Sequence, residues 1–166
     1  MNSWNRQSPK ELKDIYSYCI DLLSRRAYST FKLSWKLKQK KYPANEIEVV
    51  LKILIQDKYL RDDLYAEGRT RTWMSKGNSI SQIKRMLSQE KLFLSTDRIG
   101  EIFGECDRSE AEQMKALVGA QMKKVRQMPT DRKELYKLKQ KMGAALMRKG
   151  HSFSLINAEI DRQLKA

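Results

Sequence analysis

The apolar residues of this 166-residue chain recur every three or four positions along nearly its whole length. Four stripes with this spacing stand out, and they begin at Leu12, Ile47, Ile99 and Leu135. The period is that of an amphipathic α-helix, whereas no run of alternating apolar and polar residues marks a strand. The sequence therefore predicts an all-α fold.

Helix-start signals and a shortage of helix breakers agree with the stripes. The chain has only seven Gly and three Pro. Ser79 with Gln82, and Asp131 with Glu134, have the spacing of a capping box, which satisfies the first amides of a helix. We predict nine helices, near residues 9–26, 29–41, 44–57, 62–76, 79–90, 96–104, 107–127, 131–148 and 152–165.

The nine predicted helices fall into three groups of three. The apolar anchor Leu33 recurs 50 positions later as Ile83 and 109 positions later as Met142, each with a second anchor four residues on. We therefore predict three tandem three-helix repeats, over residues 1–58, 59–106 and 107–166. Since one such unit buries little apolar surface, the repeats are expected to stack into an elongated, curved array. The competing interpretation is that any two amphipathic helices align with some slack.

The net charge of +14 indicates an anionic partner, because a field of this size attracts polyanions and opposes compact folding. Residues 24–42 carry seven basic side chains and no acid, and residues 115–150 carry eleven basic side chains against two acids. Residues 97–112 instead hold six acids against two arginines. A basic run is often only a solvated helix face, but clusters of this size favour binding. The candidate binding residues are Arg25, Arg26, Lys36, Lys40, Lys41, Arg69, Arg71, Lys76, Lys84, Arg85, Lys123, Lys124, Arg126, Lys137, Lys141, Arg148 and Lys149.

Three aromatic residues, Tyr28, Trp35 and Trp73, lie among these bases and could stack on exposed nucleobases. Packing inside or between the repeats is the competing role, which we expect for at least two of them.

The residue inventory argues against catalysis. Cys19, Cys106 and the sole histidine, His151, cannot supply the usual ligands of a zinc site. Asp62 and Asp63 are adjacent, so on a helix they point about 100° apart, and helix capping is their expected role. The chain has no phosphate-binding loop of the Gly-x-x-x-x-Gly-Lys-Ser/Thr type. We expect a protein that is not an enzyme and needs no cofactor or metal.

No apolar run approaches the roughly 20 residues that span a bilayer. The first residues, Met-Asn-Ser-Trp, lack the apolar stretch of a secretory signal. The expected location is the cytoplasm.

The segment Leu60-Arg61-Asp62-Asp63-Leu64-Tyr65-Ala66 resembles the Leu-x-Asp-x-x-aromatic-Ala signature of the bacterial RecX family. Upstream, Arg26-Ala27-Tyr28-Ser29 resembles the first-repeat motif of that family, and downstream Leu146-Met147-Arg148-Lys149-Gly150 resembles the end of its third repeat. The chain departs from the family pattern at four positions. Lys32 replaces a usual Glu, Lys41 and Lys91 replace Gly at helix ends, and His151 replaces an aromatic residue.

The resemblance implies a protein that binds the RecA nucleoprotein filament within its helical groove. There it would block filament growth or promote disassembly, and so inhibit the recombinase, ATPase and SOS coprotease activities of RecA. We also expect a monomer with no membrane partner, and the sequence leaves open whether DNA is contacted directly. The alternative is a stand-alone DNA- or RNA-binding protein in which helices 29–41 and 44–57 act as a helix-turn-helix.

Overall fold

A computed structural model describes residues 9–125 and 129–165, with side chains from residue 12 onward. The described residues form nine helices and no strand, which confirms the all-α prediction. The helices are α1 (Pro9–Arg25), α2 (Thr30–Gln39), α3 (Ala44–Gln56), α4 (Asp62–Ser75), α5 (Ile80–Gln89), α6 (Thr96–Glu105), α7 (Glu110–Met122), α8 (Arg132–Met147) and α9 (Phe153–Lys165).

Eight of the nine helices agree with the predicted bounds within two residues at each end. The exception is α7, predicted over residues 107–127, which begins at Glu110 and ends at Met122, and residues 126 and 127 of that prediction lie outside the described part of the chain. Ser109 is the N-cap of α7 and forms a full capping box with Glu112. The preceding Asp107 has a φ of 49°, and the amide of Arg108 donates back to Phe103, which closes α6. The sequence prediction placed the start too early because it did not recognise this capping box.

The chain divides into two compact units, and the division lies inside α4. The first unit comprises residues 1–66 and 90–92, and the second comprises residues 67–89 and 93–166. The predicted boundaries of three separate repeats stay a prediction.

The first unit has a core that α1, α2 and α3 share. Ile15, Leu33, Leu37 and Leu54 are fully buried there. Each such side chain contributes about 1.5–3 kcal/mol by leaving water. Cys19 is also buried in this core, and burial raises the pKa of its thiol to about 11, so it packs as a small neutral side chain.

The second unit has a core in which α7, α8 and α9 pack together. Its buried side chains are Met114, Val118, Met142, Leu146, Ile156 and Ile160. In the same unit Ile83 and Leu87 of α5 and Ile99 and Ile102 of α6 are buried. Residues of the apolar stripes from which the helices were predicted therefore form the hydrophobic cores of the two units.

Candidate binding surface

The candidate basic residues of the first unit lie at the end of α1 and along and just after α2. Lys36 lies on α2, and Lys40, one turn later as predicted, is the C-cap of that helix. Lys41 follows in a left-handed conformation with a φ of 62°. Arg25 pairs with Asp21 at 3.0 Å. The Nε of Arg26 donates to the Tyr28 hydroxyl at 2.8 Å. The two arginines therefore have partners within their own unit, while Lys36 and Lys41 make no ion pair with any described residue.

Exposed aromatic side chains lie on the same helix. Phe31 and Trp35 are 44% and 60% exposed and are one turn apart, so they share a face of α2. Tyr28 and Trp73 are buried instead. This is the outcome expected for at least two of the three aromatic residues, and it leaves Trp35 for contacts with a partner.

The five basic candidates on α4, α5 and the turn between them have different surroundings. The Arg69 guanidinium stacks on the Trp73 ring at 4.3 Å. The Lys84 amine donates to the Thr96 hydroxyl at 3.1 Å, and Lys76 and Arg85 are exposed. Arg71 is engaged most strongly, because it pairs with Glu105 at 2.7 Å and with Glu67 at 3.4 Å.

Arg71 belongs to an ion-pair network between α4 and α6. Arg98 contacts Glu67 at 2.7 Å, Glu105 at 2.8 Å and Glu101 at 2.9 Å. Hydrogen bonds to these carboxylates raise the pKa of Arg98, and those from Arg71 and Arg98 lower the pKa of Glu105. Two of the six acids of segment 97–112, Glu101 and Glu105, thus neutralise arginines inside the second unit. Arg71 ties two helices together, which makes it a less available binding residue than the exposed lysines.

The remaining described candidates lie on α8 or in the segments that follow α7 and α8. Lys137 and Lys141 are exposed, one turn apart on α8, and make no ion pair with any described residue. Lys123, Lys124 and Arg148 are also exposed, whereas Arg126 lies outside the described residues.

Lys149 is half-buried and belongs to a joint between two turns of the second unit. Its amine donates to the carbonyl of Lys76, and its own carbonyl accepts the amide of Ser79 at 2.9 Å. The His151 ring lies 2.9 Å from the Gly77 carbonyl through Nε2. The α8–α9 turn is thereby fixed to the α4–α5 turn. Sequence reasoning missed this joint, although Gly77 and Gly150, both with positive φ, mark its two sides.

The Leu60-to-Ala66 signature has a structural role in the first unit. Leu60 and Ala66 are buried. Asp62 begins α4, and its Oδ1 accepts the backbone amide of Thr30, the first residue of α2, at 2.7 Å. The Tyr65 hydroxyl lies 3.1 Å from the Lys32 amine. The signature thus connects the starts of two helices.

The two neighbouring carboxylates of the signature have separate partners, as expected for adjacent helical positions. Asp62 binds Thr30, and Asp63 pairs with Arg61 at 2.9 Å. Lys32, the departure from the family's usual Glu, pairs with Glu90 at 2.8 Å. The substitution therefore has a local charge partner.

Within the described residues, no three His, Cys, Asp or Glu side chains are grouped so that they could hold a metal ion. None of the described helices is long and apolar enough to cross a membrane.

Comparison with known proteins identifies the relatives of this chain. A family model for the first three-helix domain of RecX matches residues 16–54, and one for the third three-helix domain matches residues 111–160. Together the two models match more than half of the chain. The regulatory protein RecX of Mannheimia succiniciproducens is 35% identical over 92 residues, and that of Vibrio parahaemolyticus is 33% identical over 73 residues.

These sequence matches are partial. The match to the Mannheimia succiniciproducens protein covers 55% of this chain and 60% of that relative. The match to the Vibrio parahaemolyticus protein covers 44% of this chain and 47% of that relative. A crystal structure of a regulatory protein RecX has a TM-score of 0.70 at 24% identity, covering 91% of this chain and 72% of its own. That of RecX from Lactobacillus salivarius has a TM-score of 0.70 at 18% identity, covering 93% and 97%. The structural likeness shows the shared fold.

Proposed function

The chain belongs to the RecX family, and from this premise we propose that it binds the RecA nucleoprotein filament and inhibits the recombinase, ATPase and SOS coprotease activities of RecA. It would act as a non-catalytic, cytoplasmic monomer. Direct contact with DNA is compatible with the same proposal.

The observation that supports this proposal most directly is the exposed face of α2. Phe31 and Trp35 are exposed to solvent on a helix that carries lysines, and α2 has no acidic residue. Aromatic and arginine side chains are enriched among the residues that dominate protein interfaces, and an exposed aromatic pair is a candidate for such a role. An acidic surface on a protein partner would complement this face.

The alternative function is a stand-alone DNA- or RNA-binding protein. The net charge of +14 supports it as well as it supports the first proposal. Family membership favours the regulator.

The deciding experiment measures DNA-dependent ATP hydrolysis by a bacterial RecA while this protein is added. Inhibition well below the concentration of DNA sites supports action on the filament. Inhibition that begins only when the DNA is saturated supports competition for DNA and therefore the alternative. An unchanged rate at every ratio would contradict the regulatory proposal.

The role of α2 is tested by the double variant Lys36→Glu, Lys40→Glu and by Trp35→Ala. We expect both to weaken inhibition of RecA while the helical circular dichroism is kept. The double variant Lys13→Glu, Lys165→Glu is the matched control, since it changes the net charge equally at exposed positions on α1 and α9. Equal loss in the control would remove α2 from the binding surface.

A further inference from the structure

A groove of about 270 Å³ lies between α8 and α9 in the second unit, outside the α2 face. Tyr136, Lys139 and Gln140 line it from α8, and Phe153, Asn157 and Asp161 line it from α9. The side chains that pack α8 against α9, among them Met142 and Ile156, are buried elsewhere in the unit. The groove-lining residues are therefore available for a ligand.

Two of the lining side chains are aromatic and exposed. Tyr136 is 62% exposed and Phe153 is 51% exposed. Large aromatic side chains gain most by burial, so a pair left open on one groove indicates a surface that a partner covers. Aromatic side chains stack on flat aromatic ligands such as nucleobases, and this stacking depends little on which base is bound.

Two of the polar side chains of the groove, Gln140 and Asn157, are amides. Gln140 donates to the Tyr136 hydroxyl at 2.9 Å, which positions that ring. The Asn157 amide makes no hydrogen bond to any described residue. Asp161, the carboxylate in the groove, is paired with the Lys139 amine at 2.5 Å. Amide side chains carry both donors and acceptors, as the edges of nucleobases do.

Positive charge lies next to the groove on the same face of α8. Arg132 and Lys133 precede Tyr136 by one helical turn, about 5.4 Å, and both are exposed without an ion pair to any described residue. Across the whole of α8, five basic side chains stand against one acid, Glu134. If a flat ring is bound in the groove, Arg132 and Lys133 are placed to pair with an anionic group attached to it.

We propose that the groove between α8 and α9 binds a nucleobase of a single-stranded nucleic acid. The base stacks on Tyr136 and Phe153, its edge meets the amide of Asn157, and the adjoining phosphates meet Arg132 and Lys133. Bases in a duplex are stacked and paired, so a single strand is the form that presents a free face. This site does not require that the chain regulate RecA.

The test compares two fluorescein-labelled oligonucleotides of equal length by anisotropy, an oligothymidylate and a strand made only of abasic sites. The wild-type protein is expected to bind the oligothymidylate more tightly. Tyr136→Ala and Phe153→Ala should each weaken that binding about tenfold and leave the affinity for the abasic strand unchanged, since only stacking is lost. Asn157→Ala, which removes only an amide, should reduce the preference for the base-bearing strand.

Tyr59→Ala is the matched control, because Tyr59 is 55% exposed and lies in the first unit. Circular dichroism checks that each variant keeps its helices. Equal affinity of the wild-type protein for the two strands would overturn the inference. Loss of RecA inhibition by Tyr136→Ala with unchanged strand binding would also overturn it, because the groove would then dock a protein. Loss of base preference with RecA inhibition intact would support it and leave the proposed function standing.

Discussion

At the scale of single residues, Gly150 is the glycine with the least room for a side chain. Its φ is 85°, and a Cβ atom there would lie 2.5 Å from the Ser79 hydroxyl and 2.6 Å from the Gln82 Cβ. Both the left-handed backbone and the close approach of the α4–α5 turn thus require glycine.

We predict that Gly150→Ala lowers the free energy of unfolding by about 2–4 kcal/mol, the combined cost of a left-handed alanine and of overpacking. Urea unfolding followed by circular dichroism measures the loss. The control is Gly100→Ala on α6, where a Cβ would meet no atom within 4 Å. That variant should gain up to about 1 kcal/mol from helix propensity. Similar losses in both variants would show that the turn joint does not constrain Gly150.

Glu105 gives a prediction about pH. Arg71 and Arg98 hold the pKa of its carboxyl below the ordinary value of 4.5. The stabilisation is therefore complete above pH 4.5, and it is lost as the pH falls through the lower pKa of the folded state. Glu105→Gln should destabilise the protein most at neutral pH, and progressively less as the pH falls through 4.5 and then through the lower pKa of the folded state. Urea unfolding of both proteins across this range tests the prediction, and a difference that does not depend on pH would contradict it.

At the scale of secondary-structure elements, Asp62 connects α2 with α4. One carboxylate oxygen satisfies the first amide of α2, which has no partner within its own helix. We predict that Asp62→Ala costs about 1 kcal/mol of stability, as the loss of a helix cap does. Asp63→Ala removes a surface carboxylate whose ion-pair partner, Arg61, is a neighbour in sequence, so this carboxylate connects no second helix. It should cost less in the same urea titration, and the reverse order would contradict the connecting role of Asp62.

The helices themselves could be predicted from the sequence because their signals are local. Leu33 and Leu37 show the helical period, and Asp131 and Glu134 mark the start of α8 within a few residues. The bond from Thr30 to Asp62 joins positions 32 residues apart, so neither local period nor capping pattern reveals it. Arg71 looked like a binding residue for the same reason, since its partner Glu105 is distant in sequence.

The candidate binding surface likewise has features that local sequence spacing predicts and features that depend on tertiary packing. Sequence spacing placed Lys36 beside Lys40 and Lys137 beside Lys141, because a helix fixes neighbours four residues apart. Sequence spacing did not identify Tyr136, because a tyrosine next to the apolar residues of α8 could equally have been buried with them. Exposure is a tertiary property, and only the packing of α8 against α9 shows that this ring stays outside.

At the scale of the whole molecule, the distribution of charge decides how binding responds to salt. The acids Glu67, Glu101 and Glu105 neutralise arginines inside the second unit, so the excess of +14 is carried by basic side chains without such partners. If these side chains contact phosphates, each contact releases bound counterions, and the affinity for nucleic acid falls steeply as salt is added.

The slope of that salt dependence is proportional to the number of phosphate contacts. It therefore distinguishes binding through particular side chains from attraction by the net charge of the whole protein. On duplex DNA, the logarithm of the affinity falls by about 0.9 per phosphate contact for each unit in the logarithm of the salt concentration. If Lys137 and Lys141 each contact one phosphate, Lys137→Glu with Lys141→Glu should reduce the slope by about 1.8, since both contacts are lost. The control Lys13→Glu with Lys165→Glu changes the net charge equally, but it should leave the slope nearly unchanged. Anisotropy titrations at several salt concentrations measure both slopes. An equal reduction in the two double variants would mean that the chain attracts nucleic acid through its total charge, without a defined surface on α8.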